Sequence, residues 1–219
     1  MTTQTTIAQT LRANRGYTLD QTILIIAIIA ILVTLIILTV GWNLINRASG
    51  TRLASQLGNV QDALGNYYGD LRQWPKGTTS NPTKDAAALA GYGDANSSTK
   101  NYIAGLNASA SGVTHNLNSQ SNRRVLVSQV TGSSTAWTGP AGTVYEVVEF
   151  QNVAGSDFTA ADNSIDSGDG GAAGSVRAIA AGGSAPTATT GCFATAPTFI
   201  SATTANTYYD ICYRANNVQ

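Results

Sequence analysis

The most apolar part of the chain is residues 23–40, which read ILIIAIIAILVTLIILTV. Only Thr34 and Thr39 are polar among them, and a threonine hydroxyl in a helix can bond to the carbonyl oxygen one turn back. A helix of this length spans about 27 Å, close to the thickness of the hydrocarbon core of a bilayer. Trp42 follows at the place of an interfacial aromatic residue. We therefore predict a transmembrane helix over residues 17–42.

A short polar segment precedes this run. Residues 1–16 contain no acidic residue and carry Arg12 and Arg15. A secretory signal has a small-residue cleavage site after its apolar run, and none follows here. A processing site must then lie before the run, and the candidate is the bond between Gly16 and Tyr17 in RG-YTLDQ. Basic residues flank the run on both sides, so their distribution does not decide its orientation in the membrane. The prediction that the N-terminus stays on the cytoplasmic side is based on the short leader.

Beyond the apolar run the helical pattern continues with a different period. Apolar residues recur at spacings of 4, 3, 4, 3, 4 and 3, at Leu53, Leu57, Val60, Leu64, Tyr67, Leu71 and Trp74. Pro75 ends the pattern, because the residue before a proline avoids the α region. This predicts a near-continuous helix from residue 17 to 73, about 85 Å long. The stripe could pack on the core of its own domain, which we favour, or form a coiled-coil dimer.

The rest of the chain has the signals of a β-rich head. Residues 76–122 are rich in Gly, Ser, Asn and Ala, and predict a long connection with a short helix at residues 84–90. Four β-rich segments follow, at 123–130, 143–150, 175–180 and 207–214. The first two predict a hairpin with a long loop that contains Trp137. The predicted fold is α+β, a long helix packed on an antiparallel sheet of about four strands.

Composition restricts the classes of function. The 219 residues include 12 basic and 12 acidic side chains, and only 11% are charged, which excludes binding to nucleic acid by bulk electrostatics. An apolar content of 43% argues against intrinsic disorder. One histidine and two cysteines exclude most zinc frameworks. His115 stands in a polar stretch and is predicted to be a surface loop residue, so an enzyme is the less favoured class.

Three smaller features carry candidate chemistry. Cys192 and Cys212 have 19 residues between them, and export to an oxidising compartment favours a disulfide over two free buried thiols. The pair Arg123-Arg124 could contact DNA, although a salt bridge or a solvated edge is the more ordinary role. A Gly-rich acidic stretch has the oxygen-rich composition of a calcium loop without EF-hand spacing, and a solvated loop is the alternative. Its candidate ligands are Asp162, Asp166 and Asp169, with Asp157 nearby.

Together these features resemble a type IV pilin: the leader ending in Gly16, the YTLDQ start, the apolar run, the amphipathic continuation, the β-rich head and the terminal cysteine pair. The resemblance implies that a prepilin peptidase cuts after Gly16 and that Tyr17 becomes an N-methylated terminus. It implies a single-pass bacterial inner-membrane protein, N-terminus inside, that an assembly platform polymerises into an extracellular pilus. Residues 192–212 would match the exposed disulfide-bounded loop of pilins.

One position departs from the family pattern. The fifth mature residue of pilins is nearly always Glu, and here it is Gln21, with an acid one place earlier at Asp20. A carboxylate there neutralises the terminal amine of a neighbouring subunit, because an unpaired charge in an apolar bundle is costly. Our hypothesis is that Asp20 substitutes for the missing Glu. The alternative hypothesis is that this subunit occupies a position where the terminal amine needs no charged partner, such as a filament tip.

The sequence therefore predicts a structural pilus subunit that binds itself, with neither catalysis nor a cofactor and without specific nucleic acid. The role of such a filament stays open among adhesion, motility, DNA uptake and conjugation. The alternatives are a type II secretion pseudopilin, a minor or tip pilin, or an uncleaved membrane-anchored binding protein; an exported hydrolase using His115 is the weakest. The predicted segments are the leader (1–16), the transmembrane helix (17–42), the amphipathic helix (43–74) and the head (75–219).

Overall fold

The computed structural model describes residues 19–79, 81–131, 137, 142–182, 191–194 and 196–218. It divides into two compact units, Met1–Asn43 and Leu44–Gln219, and helix α1, Leu19–Leu71, runs through both. The predicted leader and Tyr17 lie outside the described residues.

The first unit is the apolar part of α1. Its residues Leu19–Leu38 have a mean hydropathy of 3.0, and none of them is buried. The Thr34 hydroxyl donates a hydrogen bond to the carbonyl oxygen of Ala30 at 2.7 Å, which removes a free polar group from an apolar surface. By length and composition this helix can cross a membrane, so the predicted candidate span is confirmed at that level.

The second unit contains the amphipathic part of α1. The stripe from Leu53 to Tyr67 is fully buried on the chain's own sheet, as the first of the two alternatives predicts. The helix ends at Leu71, two residues earlier than predicted, because Arg72 has a positive φ of 54° and donates its N–H to the carbonyl oxygen of Tyr68 at 2.8 Å. Trp74 lies beyond this cap, stacked on Tyr68.

The sheet has six strands among the described residues, all antiparallel to their neighbours, in the order β1-β2-β3-β4-β6-β5. Their bounds are β1 Asn107–Ser109, β2 Gly112–Thr114, β3 Arg124–Thr131, β4 Val144–Ala154, β5 Val176–Ala180 and β6 Tyr208–Val218. The prediction of about four strands is wrong. The four predicted segments correspond to β3, β4, β5 and β6, and the added hairpin β1-β2 lies in the region read as an irregular connection. Three-residue strands are too short to produce an alternating pattern.

Two further α-helices belong to the head. Helix α2, Pro82–Leu89, begins two residues before the predicted start, because Pro82 is suited to the first helical turn and the Asn81 side chain caps it by accepting the Lys84 N–H at 2.9 Å. Helix α3, Gly155–Ile165, was not predicted. It occupies part of the stretch that the sequence analysis treated as a loop.

Successive side chains of the strands point to opposite faces, and each face has its own core. The helix-side core joins α1 and α2 to Val125, Val127, Val148 and Phe150. The disulfide-side core contains Leu126, Val130, Trp137, Tyr145, Val147, Ile179, Cys192, Phe193 and Cys212.

Candidate functional site

The exposed apolar surface of α1 is the largest candidate site. The large apolar side chains from Leu19 to Leu38 are between 41% and 76% exposed, far more than a soluble domain leaves in one continuous surface. Asp20 lies in the first turn of this helix and Gln21 follows it, both exposed. Such a surface needs lipid or other apolar helices around it. Gly16 and Tyr17, the predicted processing site, lie outside the described residues.

The predicted disulfide is present between Cys192 and Cys212, whose Cα atoms are 5.4 Å apart. Cys192 lies in a short 3-10 helix, Gly191–Phe193, and Cys212 lies on β6. Both cysteines are fully buried, and the bridge attaches the segment before β6 to the centre of the sheet. The prediction of two free thiols as the alternative is therefore wrong.

Two buried carboxyl groups hold the segments on this side of the sheet. Glu149 accepts the backbone N–H of Cys192 at 2.9 Å, and burial raises its pKa to about 7. Asp210 accepts the backbone N–H of Gly182 at 2.8 Å and that of Asn152 at 2.9 Å. Burial also raises the pKa of Asp210, although these two donors favour its charged form. Glu149 also accepts a hydrogen bond from the Gln151 side chain at 3.0 Å, and the backbone contacts of both acids indicate a structural role.

The helix side of the sheet contains a second pair of buried acids. Glu146 on β4 is 1% exposed, and burial raises its pKa to about 8. Gln129 lies opposite Glu146 on β3, and its side chain favours the charged form of Glu146. Neither carboxyl oxygen of Glu146, however, has a hydrogen-bond partner of normal geometry among the described residues. Asp85 on α2 accepts the N–H of Gly77 at 2.8 Å, and burial raises its pKa to about 6.

His115 is fully buried, so the prediction of a surface loop residue is wrong. Its ring stacks on Phe150, with the ring centroids 5.7 Å apart. Nδ1 accepts the Leu117 N–H at 3.4 Å, which assigns the proton to Nε2, and Nε2 donates to the carbonyl oxygen of Gln151 at 2.6 Å. Burial lowers its pKa. Both ring nitrogens are engaged by the backbone, which leaves neither free to serve as a catalytic base. No local sequence signal could have shown this, since the acceptor lies 36 residues away.

Arg124 is the first residue of β3, and Arg123 directly precedes it. The Arg123 guanidinium donates to the carbonyl oxygen of Asn118 at 2.7 Å, a backbone contact within the head. Arg124 lines a polar groove of about 320 Å³ together with Thr83 and Thr114. The described contacts of Arg123 are structural, and they add nothing to the idea of DNA binding.

The three predicted calcium ligands come together. One carboxylate oxygen of each of Asp162, Asp166 and Asp169 lies within 4.8 Å of the others. Asp162 lies in the last turn of α3, Asp166 caps that helix, and Asp169 lies in the loop towards β5. Burial raises the pKa of Asp162 and the charges of Asp169 and Asp166 raise it further, while the N–H of Gly170 opposes the shift. Asp157 lies in the first turn of α3, outside this cluster.

Comparison with known proteins found no match for this chain. No family model matches it, and no curated protein and no solved structure matches it. Its function is therefore argued from its own residues, of which the exposed apolar helix is the most informative.

Proposed function

We propose that this chain is a structural subunit of a type IV pilus, and that it polymerises through the apolar part of α1. The observation that carries the proposal is the exposed apolar surface of Leu19–Leu38, on the same helix whose second half lies in the core of an α+β head. The leader that ends at Gly16 and the cysteine pair of the head add to it. These are the parts that a pilin needs.

The mechanism of assembly follows from the chemistry of this surface. Before assembly the apolar helix lies in the inner membrane, and in the filament it lies among the same helices of other subunits. Transfer from lipid to an apolar bundle is nearly neutral in hydrophobic free energy, so close packing and polar pairing set the register of the subunits. The head then faces outward, and its disulfide holds the C-terminal part of the chain against the sheet.

In this proposal Asp20 pairs with the terminal amine of a neighbouring subunit. After cleavage the amine of Tyr17 is positively charged, and burying it among apolar helices requires a negative partner. Asp20 is the acid in the first turn of α1, and Gln21 supplies no charge at the usual family position. One residue of offset turns a side chain by about 100° around a helix, so Asp20 would have to approach the amine from a different side.

The decisive experiment is the intact mass of the protein in material sheared from the cell surface. The proposal expects a mass for residues 17–219 plus one methyl group, less two hydrogens for the disulfide. A Gly16→Val variant is the matched control, because a bulky residue before the cleaved bond should leave the leader attached and abolish sheared material. Wild-type protein found only in the membrane with its leader attached would instead identify an uncleaved anchored protein. Processed protein that never reaches the sheared fraction would favour a pseudopilin.

The role of Asp20 has its own test. Cells that express Asp20→Asn at wild-type levels should yield few filaments, and a second change, Gln21→Glu, should restore them by returning the acid to the family position. Gln21→Glu alone is the control for the new side chain. Normal filament yield from Asp20→Asn would reject pairing through Asp20 and favour a subunit that needs no pairing, such as one at the tip.

A further inference from the structure

We propose that Asp162, Asp166 and Asp169 form a calcium site at the junction of α3 and the sheet. This site is a property of the head and is independent of the proposed function. The ligand oxygens of the three residues lie within 4.8 Å of one another, and oxygens bound to one Ca²⁺ at about 2.4 Å can have that spacing. Asp166 and Asp169 are four and seven residues after Asp162. They come close to it because Asp162 is on the last turn of α3 and the chain then turns back towards β5.

The state of Asp162 is the second, independent observation. Its side chain is 3% exposed, so it is almost removed from water. Oδ2 accepts the N–H of Gly170 at 3.1 Å, but Oδ1 is buried and has no hydrogen-bond partner among the described residues. A buried carboxylate oxygen without a partner is costly, and two more carboxylates beside it increase that cost. A cation bound at this place would supply the missing partner for Oδ1 and neutralise the repulsion.

The chain around the cluster keeps the carboxylates directed at one another. Asp166 Oδ2 accepts the backbone N–H groups of Ser175 and Val176, at 2.8 and 2.6 Å, which fixes it at the start of β5. Gly174 has a φ of +71°, and a Cβ placed on it would lie 2.5 Å from Asp166 Oδ2 and 2.8 Å from Asp169 Oδ2. Glycine therefore lets the backbone approach both oxygens together, and a side chain at this position would fill the space beside them.

The charges nearby leave a negative excess. Arg177 interacts electrostatically with Asp166 and Asp169. Its guanidinium carbon also lies 4.8 Å from the ring centres of both Trp137 and Phe199, so the group packs against both aromatic rings. Two of the three carboxylates, those of Asp166 and Asp169, thus interact with the guanidinium of Arg177, and this single positive charge does not balance the three acids of the cluster.

The donor set selects the ion. Carboxylate oxygens without histidine or thiolate suit Ca²⁺, Mg²⁺ or Mn²⁺ rather than Zn²⁺ or Cu²⁺. Asp169 is exposed and Asp166 is half-buried, so waters can complete the shell of the larger and more flexible Ca²⁺, whereas Mg²⁺ demands near-ideal octahedral geometry. Three carboxylates and water place the affinity in the range of extracellular modules, with a Kd of about 0.1–1 mM. Binding would connect the end of α3 to the edge strand β5.

The test uses the purified full-length chain in mild detergent, stripped of metal with EDTA and then titrated with CaCl₂ or MgCl₂. Isothermal titration should give one Ca²⁺ per chain. The melting temperature should rise by about 3–6 °C when CaCl₂ is at ten times the Kd, with a smaller rise for MgCl₂. The exposed Asp62→Asn on α1 is the matched control and should retain the full calcium effect.

Two variants, Asp162→Asn and Asp169→Asn, make the result decisive. Asp169 is exposed, so Asp169→Asn provides the test if Asp162→Asn does not fold. In EDTA, loss of one carboxylate relieves repulsion, so each variant should melt at or above the wild-type temperature. In CaCl₂ each should melt below wild type, because the site has lost a ligand. Absence of stoichiometric calcium binding by the wild type, or a variant that keeps the full calcium-dependent rise, would overturn the proposal.

Discussion

The substitution Glu146→Gln should remove a large part of the pH dependence of the stability of the head. Glu146 lies in the helix-side core with both carboxyl oxygens unpartnered among the described residues, and its pKa is raised from 4.5 to about 8. The folded protein therefore holds this proton over a pH range in which the unfolded chain has lost it. Stability contributed by the neutral acid is present below about pH 4.5 and decreases as the pH rises to about 8.

The magnitude follows from the shift. One pKa unit corresponds to about 1.4 kcal/mol, so the full shift corresponds to about 5 kcal/mol. Local rearrangement that admits water reduces this value, and we expect Glu146→Gln to be more stable than wild type by about 3 kcal/mol above pH 8. Between about pH 7.5 and 8.5 the slope comes mainly from Glu146, because Glu149 and Asp85, with pKa values of about 7 and 6, have lost most of their protons by then.

The assay is urea unfolding of the full-length chain in mild detergent, followed by near-ultraviolet circular dichroism at pH 7 and above. The wild type should lose up to about 1.4 kcal/mol of unfolding free energy per pH unit there, and Glu146→Gln should lose much less. Val148→Ala is the control, because it removes apolar volume from the same face of β4 and should cost about 2 kcal/mol equally at every pH. An unchanged pH slope in Glu146→Gln would refute the reasoning.

Two further substitution experiments test the packing. Gly50→Ala should destabilise the head by about 1–3 kcal/mol, because its Cβ would lie 2.0 Å from the Cβ of Ala160, whereas Gly58→Ala should stabilise it by about 1 kcal/mol, since nothing lies within 4 Å. Thermal unfolding of both variants measures this, and equal effects would contradict the α1–α3 contact. Replacing Cys192 and Cys212 together by Ala should cost about 3 kcal/mol in urea unfolding; a loss below about 1 kcal/mol would show that the bridge constrains the unfolded chain little.

Features with a strong local pattern could be predicted from the sequence. The apolar stripe of α1 recurs at helical spacing, and the structure buries its residues from Leu53 to Tyr67 as expected. Strands β3 and β4 are dense in β-branched residues, and their pairing agrees with the predicted hairpin. The disulfide could be predicted because a chain with two cysteines has one possible intramolecular pairing.

Features that depend on partners distant in the sequence could not be predicted. Helix α3 begins at Gly155 and buries few apolar side chains, chiefly Phe158 and Ala161, so its hydrophobic pattern is weak. His115 looks like a loop residue because its acceptor, the Gln151 carbonyl oxygen, is supplied by another strand. The composition of the acidic stretch indicated a group of carboxylates, but the place where Asp162 and Asp166 meet depends on a helical turn that the sequence did not reveal.

The alternation of side chains along the strands also gives each face of the sheet its own optical reporter. Trp137 is fully buried in the disulfide-side core, 5.3 Å from the ring of Phe199, and Trp74 packs at the border of the helix-side core. With Trp42 replaced by Phe, fluorescence from variants that retain only Trp74 or only Trp137 would follow the two faces separately. Because β3 and β4 contribute side chains to both cores in turn, the two emission changes should coincide, so that neither layer melts before the other.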